Sequence, residues 1–291
     1  GNPTRYELLL EKYRDETGGL SSLLAGTGRL LRLHNDSQSA KLAILAQLVG
    51  GVIAPVMLMY VLWVLEEARQ KGIKQLCFVS RDGYVPFLIC KKISKLLGYE
   101  VESIYMYGSR QSWHMPGLFA FDETAFSWLL QNFDGNTTSE TVFKRLGLTW
   151  DDVCKIVPEL PAILGTPDQP LTPGLHEKLK DLFLSNEALQ GHLLEMAATK
   201  RGVLHAYLEQ EGITFQQKTA LVDVGWTGRT GTSFCKIIGA EKAKNLHFFY
   251  FGLLSGKYIT QPEKCNVFLF GPDLVATPIK ALPPIVETFC F

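Results

Sequence analysis

The stretch KTALVDVGWTGRTGTSFCKIIG, Lys218 to Gly239, decides the fold. Thr219 to Val222 are β-branched and aliphatic types that suit an extended, buried strand. Asp223 follows, then a turn carrying Gly225, Gly228 and Gly231, then Thr232, Ser233 and apolar residues at helical spacing. The pattern predicts a strand, a loop and a helix. Glycines admit positive φ and let the backbone approach a ligand, while the free N–H groups of a first helical turn attract an anion. Open α/β sheets bind ligands at the carboxyl ends of their strands, which is where Asp223 would stand. Phosphate at the glycine turn, with a hydroxyl or a metal near Asp223, is the functional expectation. The plain alternative is that the glycines only shape a tight strand-to-helix turn.

Two earlier segments repeat the theme. Lys74 to Ser80 is a short apolar run, Arg81-Asp82-Gly83 a turn, and Tyr84 to Leu97 a helical pattern closed by Gly98. Val101 to Tyr107 reads as another strand and ends in Gly108-Ser109-Arg110. Three strands thus end in polar clusters: Arg81 and Asp82, then Ser109 and Arg110, then Asp223, Trp226 and Arg229. Alternating strands and helices imply an α/β fold with a mainly parallel, Rossmann-like sheet, and right-handed crossovers bring those ends to one edge. Arginine forks on phosphate oxygens and carboxylates on hydroxyls or Mg²⁺ would suit a phosphorylated sugar. A surface ion pair is the competing account of each arginine. Downstream, Asn245 to Leu254 is strongly β-forming and Asn266 to Phe270 is a further candidate strand. Glu287, in the apolar terminal stretch, is a candidate general base, with helix capping or ion pairing as its ordinary explanation.

The rest of the chain divides around these units. Residues 1–40 read as N-terminal helices, 41–121 as a first α/β half, 122–212 as a helical insert or cap, and 213–291 as a second α/β half. Leu42 to Leu65 has a single strongly polar residue, Gln47, and enough length to cross a bilayer. Gly50, Gly51 and Pro55 interrupt it and its flanks lack a positive-inside bias, so a buried pair of helices covering a sheet is expected, with peripheral membrane attachment left open. Pro158 to Pro173 reads as a loop. In the insert, Leu146 to Thr149 superficially resembles a helix-turn-helix corner, but Asp151 and Asp152 oppose phosphate contact, and the insert is expected to select an acceptor. His176, His192 and His205 lack metal-ligand spacing.

The 291 residues can bury a large core in one or two domains, and 29 basic against 29 acidic side chains give zero formal charge. That balance argues against a general nucleic-acid surface. Six cysteines lie far apart with no C-x-x-C pair, the usage of a reduced, cytoplasmic protein. The final Glu287-Thr-Phe-Cys-Phe291 is apolar, and a fragment truncated at its C-terminus is expected.

FVSRDGY (Phe78 to Tyr84), YGSR (Tyr107 to Arg110), LVDVGWTG (Leu221 to Gly228) and the terminal PIVETF resemble, in this order, blocks of a known family. It is the C-terminal module of bacterial surface-polysaccharide proteins, of capsule and O-antigen type, often labelled haloacid-dehalogenase-type hydrolases. The resemblance runs from about Gly50 to the end. It implies a glycan phosphoribosyltransferase of dual-domain ribofuranosyltransferases, moving 5-phosphoribose from 5-phosphoribosyl pyrophosphate to a growing, lipid-linked polysaccharide. A partner phosphatase domain then removes the 5-phosphate. Carried over are Arg81, Asp82, Arg110, Asp223, Gly225, Trp226, Gly228 and Glu287. The chain departs from the family in having Arg229-Thr-Gly231 where a glutamine is common. Phosphatase chemistry in this chain is excluded because neither Asp82 nor Asp223 opens a D-x-D pair.

The expected function is therefore a cytoplasmic glycosyltransferase, with peripheral attachment at the inner face of the cytoplasmic membrane left open. Asp82, Asp223 and Glu287 are its candidate catalytic carboxylates, either stabilising positive charge on the sugar or deprotonating the acceptor hydroxyl. Arg81, Gly83, Ser109, Arg110, Gly225, Trp226, Thr227, Gly228 and Arg229 are the donor-binding candidates. Mg²⁺ is expected to travel with the pyrophosphate, with no dedicated metal ligands assigned. The alternatives are a sugar-nucleotide-dependent glycosyltransferase and a non-catalytic glycan- or nucleotide-binding scaffold module.

Overall fold

Alternate residues of Thr219–Asp223 point to opposite faces, and each face meets a different core. Ala220 and Val222 pack with Phe78, Phe249 and Phe251. Leu221 packs on the other side with Cys77, Phe248 and Phe234. A strand buried on both faces needs the continuous apolar run its sequence has. The computed structural model, which describes residues 2–34, 39–130, 136–254, 259 and 261–271, builds this strand into the middle of a five-stranded sheet.

The strands are β1 (Gln75–Val79), β2 (Glu102–Met106), β3 (Thr219–Asp223), β4 (Leu246–Gly252) and β5 (Cys265–Phe270). Their order is β2-β1-β3-β4-β5 and every neighbouring pair is parallel. The protein is thus α/β with a Rossmann-like sheet. Because β2 lies on one side of β1 and β3 on the other, the winding reverses between β1 and β3. Doubly wound sheets open a crevice at such a reversal, outside the carboxyl ends of the strands.

Helices α1 (Arg5–Lys12), α2 (Leu20–Leu33) and α3 (Ala40–Leu48) form an N-terminal layer. A capping box between Thr4 and Glu7 starts α1, and Arg32 of α2 bonds the same Glu7 at 3.1 Å. From α3 the chain passes through a π-helical segment, Val49–Ile53, straight into α4 (Ala54–Lys71). The expected pair of helices is corrected here: Ala40 to Lys71 is one helix of 32 residues. Pro55 would crowd the preceding turn of an α-helix, and the wider π turn just before it takes up the ring without breaking the rod. Only the α4 half covers the sheet, through buried Met57, Tyr60, Val61, Val64 and Leu65.

Helix α5 (Tyr84–Leu97) connects β1 to β2. Between β2 and β3 come α6 (Arg110–His114), α7 (Glu123–Leu129), α8 (Ser139–Leu146), α9 (Trp150–Ile156), α10 (Leu160–Leu164), α11 (Pro173–Ser185) and α12 (Glu187–Gln210). Most of them enclose a third core, around Phe143, Phe183, Leu189 and Leu193, so the insert has an apolar centre of its own. The proline-rich stretch expected as a loop contains α10, which starts at a proline-tolerant first turn. Helices α13 (Arg229–Ile238) and α14 (Ala240–Ala243) lead to β4. Among the described cysteines, Cys77, Cys90, Cys154, Cys235 and Cys265 are free thiols.

Candidate functional site

The loops after β1 and β3 face each other across the winding reversal and enclose a cleft of about 220 Å³. Asp82 comes from the first loop, and Asp223, Gly225, Trp226, Thr227 and Gly228 from the second. Arg229 and Thr230 open α13, while Arg110, Trp113 and His114 enter from α6. Three strand ends therefore converge on one cavity.

Asp223 sits at its floor. Its Oδ1 accepts the backbone N–H of Gly225 at 3.0 Å, closing a turn onto its own chain. Glycine is required at 225 because a Cβ there would run into the Asp223 carboxylate. Beneath, the buried Tyr60 hydroxyl is shared between the carbonyls of Asp223 (3.2 Å) and Phe249 (3.0 Å), fixing the strand end from the α4 side. Burial pushes the Asp223 carboxyl up from 3.8 to about 6. The Gly225 N–H and the Arg110 guanidinium oppose that rise, and the negative charge of Asp82 adds to it. A carboxyl poised there can exchange a proton near neutral pH.

Gly228 carries φ +71° and caps α13, a backbone shape that glycine adopts without strain. Gly231, one turn in, is needed for space: a Cβ would stand 2.6 Å from the Tyr250 hydroxyl and 2.7 Å from the Phe248 ring. These two glycines draw the first turn of α13 against β4, with Arg229 at its start. The Trp226 ring is stacked on Phe270 at 5.8 Å and 5°, so it forms a fixed wall anchored on β5.

His114 completes the floor. It is 5% exposed, its Nδ1 lies 2.9 Å from Ser233 Oγ of α13, and its ring stacks on Trp128 of the insert at 5.6 Å. Burial, then the positive charges of Arg110 and Arg229, lower it to about 4, so the imidazole is neutral at pH 7. It ties α6, α13 and the insert together. Beside it, the buried Trp113 indole Nε1 has no hydrogen-bond partner among the described residues.

The structure separates the expected residues into two groups. Asp82, Arg110, Asp223, Gly225, Trp226, Thr227, Gly228 and Arg229 line the cleft. Arg81 does not: its side chain is 86% exposed and lies 3.6 Å from Asp82. Gly83 is a packing residue, since a Cβ would come 2.5 Å from the Val79 carbonyl oxygen. Ser109 is the N-cap of α6, where its Oγ accepts the Ser112 N–H at 3.3 Å. It lines a neighbouring apolar cavity with Tyr107 and Tyr207 instead. Glu287 lies outside the described residues. His114 and Trp113 were missed by sequence reasoning. Their signal was position: His114 is four residues beyond Arg110, on the same face of a helix.

Among the described residues no group of three or more His, Cys, Asp or Glu side chains gathers around a metal position. Mg²⁺ bound with a phosphorylated ligand needs only one or two protein carboxylates, and Asp82 fits that need. Fold and cleft together define a doubly wound α/β protein with an acid- and arginine-lined pocket at its winding reversal. No family model matches the chain, and no curated protein matches it.

Proposed function

We propose that this protein is a glycosyltransferase of surface-polysaccharide assembly that transfers 5-phosphoribose from 5-phosphoribosyl pyrophosphate to a glycan hydroxyl. The observation that carries this is the meeting of Asp223, raised to about 6, with Asp82, Arg110 and Arg229 in one cleft over the start of α13. Arg110 and Arg229 bind the pyrophosphate, whose charge grows as its bond to the sugar carbon breaks. Asp223 takes the proton of the attacking hydroxyl, and the new bond forms at that carbon. Asp82 would hold Mg²⁺, which supplies positive charge to the pyrophosphate when bound. His114, neutral, positions α6 and α13 and takes no proton from the reaction. A phosphatase domain acting on the 5-phosphate, and residence at the cytoplasmic side of a membrane, belong to the same proposal.

Titration calorimetry of 5-phosphoribosyl pyrophosphate with Mg²⁺, against a panel of sugar nucleotides, tests it. Selective binding of the first, weakened at least tenfold by Asp223→Asn, is expected. Preference for a sugar nucleotide would replace the donor; no binding by the folded protein would leave a scaffold as the better account.

A further inference from the structure

The N-terminal helices leave the sheet on the same edge as the cleft. The Lys218 ammonium, just before β3, donates to the carbonyl of Lys71 at 2.9 Å, while Tyr60 reaches the carbonyl of Asp223 at the far end of β3. Helix α4 therefore runs antiparallel to β3. Its continuation toward the N-terminus, the π segment and then α3, passes the carboxyl edge where the cleft opens.

The packing there is inverted relative to a water-facing layer. On α2, Ser21, Ala25 and Gly28 are buried together with Leu24, whereas Leu23, Leu30 and Leu33 are 67%, 57% and 52% exposed. Gly28 meets the π segment so closely that a Cβ would lie 3.0 Å from the Gly50 carbonyl oxygen. On α3 no residue is buried, and Leu42 and Ile44 are 58% and 67% exposed. Single exposed leucines are ordinary, but neighbouring helices that bury glycine and present leucine pack as helices do in lipid.

Length decides how they would sit. The nine residues of α3 and five of the π segment, whose last residue Ile53 already packs on the core under the sheet, reach about 21 Å, short of the ~30 Å of a bilayer core. The α4 half is committed to the core of the protein. By itself this exposed rod is too short to span, and its length suits lying in the interface. Charge agrees: between Glu16 and Glu66 the sequence has one acid, Asp36, against Arg29, Lys41 and Arg32, the last already paired with Glu7.

We propose that α2 and α3 form a lipid-docking element, with their exposed leucines and Ile44 in the outer acyl region of an anionic bilayer and Arg29 and Lys41 among its headgroups. The cleft then opens toward the membrane surface. That this serves a lipid-linked acceptor rests on the function proposed above; the lipid contact itself does not.

The test is co-sedimentation of the full chain with phosphatidylcholine vesicles containing about a quarter phosphatidylglycerol. Wild type is expected in the pellet, and a Leu30→Glu, Ile44→Glu double variant to lose at least tenfold in vesicle affinity with an unchanged circular-dichroism spectrum. Should the glutamates unfold the layer, Leu30→Ser with Ile44→Ser takes their place, with at least a threefold loss expected. Wild type remaining in the supernatant, or a folded double variant that still pellets equally, would overturn the proposal. So would a wild-type dimer in gel filtration that the substitutions dissolve without any vesicle binding, since the face would then belong to a second copy. Donor binding measured on the same samples fails separately if only the site has been misread.

Discussion

Asp223 Oδ1 accepts the backbone N–H of Gly225 at 3.0 Å, and the missing Cβ of Gly225 is what leaves room for the carboxylate. The glycine at the turn is thus a steric condition on the acid two residues before it. Gly225→Ala is expected to push the carboxylate out of its seat, lowering donor affinity at least tenfold. The sheet stays intact because the loop, not β3, takes up the change. Calorimetry beside circular dichroism checks both parts.

The raised carboxyl has a consequence for stability. With a folded value of about 6 against 3.8, Asp223 binds more protons in the folded than in the unfolded chain between those pH values. It therefore costs nothing below about pH 4, and its cost grows as pH rises to 6 and is complete above. Asp223→Asn should raise stability at pH 8 by up to about 3 kcal/mol, seen as a higher Tm, and leave it unchanged near pH 4. Thermal denaturation of the ligand-free protein at the two pH values decides it.

His114 predicts the opposite slope. Its value falls from 6.5 to about 4 on folding, so the unfolded chain binds the extra proton. Stability is full above pH 6.5 and declines as pH falls toward 4. His114→Asn, which keeps a polar partner for Ser233, should flatten that acid limb. A denaturant series from pH 7.5 to 4.5 reads the difference.

The arginines are not equivalent. Arg110→Ala and Arg229→Ala each remove a guanidinium from the cleft and should weaken donor binding ten- to a hundredfold. Arg81→Ala removes a side chain that is 86% exposed and should change neither binding nor stability by more than about 0.5 kcal/mol. Equal losses for all three would contradict the cleft described here.

The space beside α13 is equally specific. Gly231→Val places methyl groups against the Tyr250 hydroxyl and the Phe248 ring, 2.6 and 2.7 Å from the first added carbon. Overpacking of this kind costs about 1–3 kcal/mol and tilts Arg229 away from the cleft. A lowered Tm together with weaker donor binding is the expected pair of results.

Period and punctuation determined much of this protein from the sequence alone. The apolar runs at Leu76 to Val79, Thr219 to Val222 and Leu246 to Phe251 are long enough only for buried strands, and the glycines that follow the first two, Gly83 and Gly225, mark the loops after them. Parallel order followed from the helices between them, and the carboxyl edge from that order. For the same reason Asp82, Arg110, Asp223 and the glycine turn were legible as one cluster: each stands at a strand's carboxyl end or in the loop just beyond it. Facing direction was not legible. Arg81 and Asp82 are adjacent, yet one lies in solvent and the other in the cleft, because the loop turns there and no period governs a loop. Contacts between distant segments were hidden too. His114 meets Ser233 only because α6 and α13 pack across the cleft, and Gly28 meets Gly50 only because α2 lies along the π segment. Local pattern sets which elements form; which side chains meet between elements depends on packing that exists only once the chain has closed on itself.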